Sequence, residues 1–133
     1  MTTAKTNSNP SAGGDRLAGA DSGLIRDIAE VPAVEVITTA GLHLMSAAAV
    51  KLGLGDGEGD AARLDLDEAR KLITALAGLV TASAPDLGTF HAAPLRDGLR
   101  TLQLAFREAS PIPDPPGQGP GESFTGAVYP SGS

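Results

Sequence analysis

This chain of 133 residues predicts an all-α fold, a small three-helix bundle with antiparallel neighbours and disordered N- and C-terminal tails. Three observations predict it. Apolar residues recur three and four apart in three separate segments, the signature of helices with one buried face. Nothing alternates with period two for long enough to make a strand. Both ends, residues 1–20 and 111–133, are dominated by Gly, Pro, Ser, Thr and Ala. Such segments bury too little apolar surface to offset the entropy of ordering them, roughly 1–2 kcal/mol per residue for backbone alone. The domain expected between them, residues 21–110, is long enough for a core, but a thin one. With aromatics at 3% of the chain, that core is expected to be aliphatic.

The first helix is expected over about residues 32–52. Pro32 suits a first turn, where its missing N–H costs nothing. Val34, Ile37, Gly41, Leu44 and Ala48 follow at helical spacing, and Val36, Ala40, Ala47 and Val50 widen the apolar surface around most of the circumference. Gly53 and Gly55 mark its end. Ahead of it, "SGLIRDIAE" has the pattern of a short amphipathic turn through Leu24, Ile25 and Ile28. Glu35 and Lys51 bracket 15 uncharged residues. A helix stretches these over roughly 22 Å, against the roughly 30 Å of a bilayer core. The segment also holds Thr38, Thr39, His43 and Ser46, so no membrane span is expected.

The second helix is expected over about 65–83. Asp65 is placed as N-cap with Glu68 three residues on, an acidic capping box. Leu66, Ala69, Ile73, Leu76 and Val80 form its inner stripe with Leu72 and Leu79 beside it, Asp67 and Lys71 suit an i,i+4 ion pair, and Pro85 is expected to lie beyond its end. Pro94 opens the third helix, about 94–109, whose seam is Leu95, Leu99, Leu102 and Phe106.

These blocks together resemble a known bacterial family. Leu52-Gly53-Leu54 closing the first helix, a polar loop, "LDLDEARKLITALAGL" and then "LRDGLRTLQLAFRE" are similar to domain of unknown function 1844, over roughly Val31 to Ser110. The Pro/Gly tail "PPGQGPGE" resembles actinobacterial members. The resemblance implies a small cytoplasmic helical protein with no established activity. It also implies a link to translation by gene neighbourhood, because members often lie near genes for translation initiation factor three and ribosomal proteins. One departure stands out: many relatives carry a Lys-Thr-x-Gly-Asn-like run between the second and third helices, where this chain has Ala82-Ser83-Ala84-Pro85-Asp86.

Composition narrows the function classes. The absence of cysteine excludes disulfides and thiolate metal sites. A net charge of −6 argues against broad electrostatic binding of nucleic acid or anionic lipid. The N-terminus lacks a basic region followed by an apolar one, so no leader is expected and the location is expected to be cytoplasmic. His43 and Ser46 are neighbours at i,i+3, but no third group orients the histidine; a histidine packed on an apolar helix with one hydrogen bond is the expectation. His91 has no ligand partner at helical spacing. Asp56, Glu58, Asp60 and Asp67 echo a calcium loop, yet Ala61 occupies the position that calls for Gly and Asp67 replaces a bidentate Glu. "GLGDGEG" lacks the preceding strand and the Gly-Lys-Ser/Thr ending of a phosphate cradle. No catalytic residue, metal or cofactor is therefore expected.

What remains are surfaces. Gly41, Leu44 and Ala48, among small residues that admit a close backbone, mark the first helix as a self-association or partner-binding face. Arg96, Arg100 and Arg107 share one side of the third helix, with Gln103 between them, and suit local contact with RNA phosphate or an acidic surface. Phe124, Val128 and Tyr129 are candidate docking anchors in the tail, and Pro113-x-x-Pro116 matches a polyproline pattern. The expected function is a non-enzymatic cytoplasmic interaction module, homo-oligomeric or bound to a protein partner through the first helix. The alternative is an RNA- or ribosome-associated accessory protein using the arginine stripe.

Overall fold

The computed structural model describes residues 29–54 and 64–129. The chain divides into two compact units, Met1–Val36 and Ile37–Ser133. The described part of the first, residues 29–36, is almost wholly exposed; the fold and site below belong to the second. The expected N-terminal tail, the "SGLIRDIAE" turn and the Asp56–Asp60 loop lie outside the described residues.

The described chain is all-α, in three elements: α1, Ala33–Lys51; α2, Leu66–Ala109; and the single turn α3, Glu122–Thr125. The C-terminus of α1 follows from its glycine. The Gly53 N–H donates to the Val50 carbonyl at 3.0 Å and the Leu54 N–H reaches back to the Ala49 carbonyl at 2.9 Å. With Gly53 at φ 73°, this is a Schellman stop. Asp65 caps α2 as expected, its Oδ1 accepting from the Glu68 N–H at 3.2 Å. The reciprocal half of the capping box is absent. The Asp65 N–H donates to the Lys51 carbonyl at 2.7 Å, tying α2 to the end of α1, and the Glu68 carboxylate pairs with Lys71 at 2.8 Å. Lys71 therefore uses its i,i−3 neighbour rather than Asp67.

The expected second and third helices are two helical arms joined across a kink at Gly88 in a run of 44 residues, without the expected loop over 84–93. The only break is Gly88, at φ 80° and ψ 162°, a combination that a residue with a Cβ rarely adopts. Near the two ends of α2, the Arg70 guanidinium lies 4.9 Å from the Phe106 ring centroid, so α2 folds back on itself at Gly88. Pro85 and Pro94 both sit inside helix, where each removes a backbone donor at about 3 kcal/mol. Burial explains the tolerance. Ala84 and Leu87 are buried around Pro85, and Ala92 is fully buried just before Pro94. Burying a leucine stabilises by about 1.5–3 kcal/mol, which offsets most of the lost bond at Pro85.

The core lies along the inner sides of the two arms. The inner stripe of the first arm (Ala69, Ile73, Leu76, Val80) and the whole seam of the second (Leu95, Leu99, Leu102, Phe106) are buried. Phe106 is the one aromatic buried among the described residues, so the core is aliphatic in the main. Helix α1 docks on the second arm through small residues. A Cβ added at Gly41 would sit 2.9 Å from Leu95 Cδ2, and one at Gly98 would run into the Met45 thioether.

The C-terminal segment departs most from expectation. Residues 111–129, expected to be a free tail, lie back across both arms as a strap. Asp114 pairs with Arg70 at 3.0 Å and its carbonyl accepts from Arg107 at 3.4 Å. The Glu122 carboxylate clamps the strap onto itself, accepting from the Gly119 N–H at 2.9 Å and the Val128 N–H at 3.0 Å. Pro120, Gly121 and Val128 are buried. The composition argument counts apolar side chains. This strap is held largely by polar bonds to residues elsewhere in the chain, and its prolines leave less entropy to lose on docking.

Candidate functional site: an arginine-rimmed cleft and the outer face of α1

The strap and the two arms of α2 enclose a cleft of about 470 Å³. Val80 and Ala84 from the first arm, Leu99 from the second and Val128 from the strap make its apolar walls. Its depth ends at Gln103, only 4% exposed. The Gln103 Nε2 donates to the Pro120 carbonyl at 3.1 Å and to Thr125 Oγ1 at 3.1 Å, so a buried amide anchors the strap. Phe124 forms a further wall, its ring lying over Gly78, where an added Cβ would sit 3.5 Å from Cζ.

Two cations edge the opening. Arg96 and Arg100, one helical turn apart, both line the cleft and both are exposed. The Arg100 Nη2 donates to the Tyr129 carbonyl at 2.5 Å. Arg96 has no hydrogen bond or ion pair among the described residues. Among the described residues no Asp or Glu lines the cleft, although acidic residues outnumber basic ones by 16 to 10 in the chain.

The expected arginine stripe is thus divided. Arg96 and Arg100 face the cleft, whereas Arg107 turns to the strap at Asp114. The expected docking anchors are engaged within the chain. Phe124 and Val128 pack on α2 and Tyr129 supplies a carbonyl to Arg100, while Pro113 and Pro116 stay exposed.

The other expected surface is also rearranged. Gly41 and Ala48 are buried and Leu44 is half-buried, covered by the chain's own fold. The small size of Gly41 serves its close approach to Leu95 rather than leaving that face free. The opposite side of α1 is the open one: Thr39, Ala40, Leu42, His43, Ser46 and Val50 are exposed. The sequence suggests a packed His43, but His43 is exposed and faces outward with Ser46. His91, also exposed, meets the Phe90 ring edge-on at 5.2 Å. No group of His, Asp and Glu able to hold a metal ion occurs among the described residues.

Among the described residues, two helices are long and apolar enough to cross a membrane by length and composition. α1 has mean hydropathy 1.5 over a stretch only 11% buried, and α2 has 1.2 over a stretch 39% buried. The break at Gly88 and the continuous buried stripe of α2 mark it as a core element. α1 is the exception, an apolar helix left largely uncovered.

The fold and site define a small helical protein with an arginine-rimmed cleft, built from two long helices and a folded-back C-terminal strap. A family model described as "Domain of unknown function (DUF1844)" matches residues 33–108, and the chain belongs to that family. The match begins at the first residue of α1 and stops one residue short of the end of α2, so the strap lies outside it. No curated protein and no solved structure matches the chain.

Proposed function

We propose that the protein is a non-enzymatic, cytoplasmic interaction module that pairs with a second copy of itself through the outer face of α1. The finer reading of the fold belongs with this proposal: α1 and the two arms of α2 act as three helical units, consecutive ones antiparallel, and α1 is the outermost. The observation that carries the reading is the combination of high hydropathy and 11% burial over α1. Burial contributes about 25 cal/mol per Å² of apolar surface removed from water, so the exposed Ala40, Leu42 and Val50 favour a covering surface. A second copy suits it because the open side from Thr39 to Val50 carries no Asp, Glu, Lys or Arg in a chain of net charge −6. Two such chains meet there without opposing like charges. Bilayer insertion is less favourable, since α1 would have to leave Leu95 and the Met45–Gly98 contact.

Sedimentation equilibrium at micromolar concentration tests the reading. A dimer that Val50→Asp converts to a folded monomer supports it. A monomeric parent protein, or native protein that leaves the washed membrane fraction only in detergent, overturns it. The alternative, an RNA- or ribosome-associated role for the arginine stripe, has weaker support, because Arg107 is engaged with the strap and Arg96 and Arg100 border an apolar cleft. Salt-sensitive co-sedimentation with ribosomes is the result that favours it.

A further inference from the structure

We infer that the cleft between the arms of α2 and the strap binds a small amphipathic carboxylate, its head group held by Arg96 and Arg100 and its apolar body lying along Val80, Ala84 and Leu99. The size fits: about 470 Å³ lies within the roughly 300–1,000 Å³ of small-molecule pockets. The lining divides as such a ligand requires, with an apolar interior and two cations at the edge. Guanidinium groups match carboxylate geometry and form charge-assisted hydrogen bonds to it. Arg96 has no partner among the described residues and stands open to one. Arg100 spends one donor on the Tyr129 carbonyl, and a guanidinium has five. Among the described residues, no carboxylate lines the cleft to neutralise the pair or repel an anion.

Most polar groups deeper in the cleft are occupied. The Gln103 Nε2 is committed to Pro120 and Thr125, and Thr125 Oγ1 donates onward to the Gly126 carbonyl at 2.8 Å. The Gln103 Oε1 accepts no hydrogen bond among the described residues, so the depth of the cleft offers one acceptor amid apolar walls, which suits an alkyl or aryl body over a sugar or nucleoside with many polar groups. The strap contributes Phe124 and Val128, and both lie beyond the residues matched by the family. The cleft in this form depends on this chain's own C-terminal segment.

Isothermal titration of the full chain with sodium decanoate, below its micelle threshold, tests the inference, with decanol and acetate as controls. Saturable one-to-one binding of decanoate is expected, with decanol and acetate each at least tenfold weaker. Arg96→Gln and Arg100→Gln should each weaken decanoate by about tenfold or more, the size of a lost charge-assisted bond. Thr81→Trp, at an exposed lining position, should block the cleft while leaving both arginines in place. Circular dichroism and the thermal midpoint confirm that each variant folds. Absence of decanoate binding overturns the inference. So does decanol binding as tightly as decanoate, acetate matching decanoate, or binding that survives Thr81→Trp.

Discussion

Gly121→Ala probes how firmly the strap is seated. Gly121 is buried at φ 77°, and a Cβ there would sit 2.7 Å from the Ala77 Cβ and 3.2 Å from Gln103 Nε2. The left-handed backbone costs an alanine about 1–2 kcal/mol. Overpacking against a methyl on a helix costs about 1–3 kcal/mol more. Reduced freedom of the unfolded chain returns about 0.4–1 kcal/mol. The net loss is roughly 2–4 kcal/mol, and at about 4–8 °C per kcal/mol for a domain of this size the midpoint falls by roughly 10 °C or more if the strap unfolds with the core. Gly117→Ala is the matched control, since its φ is 84° but an added Cβ meets nothing within 4 Å. Differential scanning calorimetry compares the two midpoints, and amide exchange locates the loss. If the strap instead lifts alone, residues 111–129 lose protection while α1 and α2 keep theirs. Equal midpoints for the two variants, with full protection over the strap, would refute the reasoning.

Gln103→Glu places a carboxylate oxygen against the Pro120 carbonyl in place of a donor, so strap amides should exchange at least tenfold faster at neutral pH. Gly41→Ala should lower stability by about 1–3 kcal/mol in chemical denaturation, because Leu95 is fully buried and has little room to move. The Glu68 carboxylate, through its hydrogen bond and its charge, holds the Lys71 ammonium above the ordinary 10.5. A raised value in the folded state means that this contribution is fully present below the ordinary lysine value and disappears as pH climbs through the raised one. Lys71 is exposed, so Glu68→Gln should lower the Lys71 titration midpoint by NMR while leaving the thermal midpoint nearly unchanged. Leu42→Asp, at the centre of the exposed side of α1, should abolish self-association with helicity intact, by sedimentation and circular dichroism.

Helical periodicity carried the inner surfaces well. Leu95, Leu99, Leu102 and Phe106 sit at four, three and four, and all four are buried. The start of α2 was equally legible, because Asp65 precedes an acidic first turn. Proline misled at both sides of the hinge. Local rules end one helix at Pro85 and begin another at Pro94, but burial of Leu87 and Ala92 keeps helical turns up to Gly88 on either side. The strap escaped for a different reason. Its partners, Arg70, Gln103 and Arg107, stand far from it in sequence, and local composition carries no record of such pairings. Gln103 held the one available clue: a polar side chain between Leu102 and Phe106, on the inner side of a helix, needs a partner brought from elsewhere. On α1 the spacing of Gly41, Leu44 and Ala48 identified the right face, but not whether the chain or another molecule covers it.

The strap also conceals charge. Removing everything after Ser110 takes away Asp114 and Glu122 while leaving Arg70, Arg96, Arg100 and Arg107 on α2. A chain trimmed there would lose the carboxylate that pairs with Arg70 and the carbonyls that hold Arg100 and Arg107. Proteolytic loss of fewer than two dozen residues would add Arg70 and Arg107 to the already open Arg96 and Arg100, extending a two-arginine edge into a four-arginine row on an otherwise acidic protein.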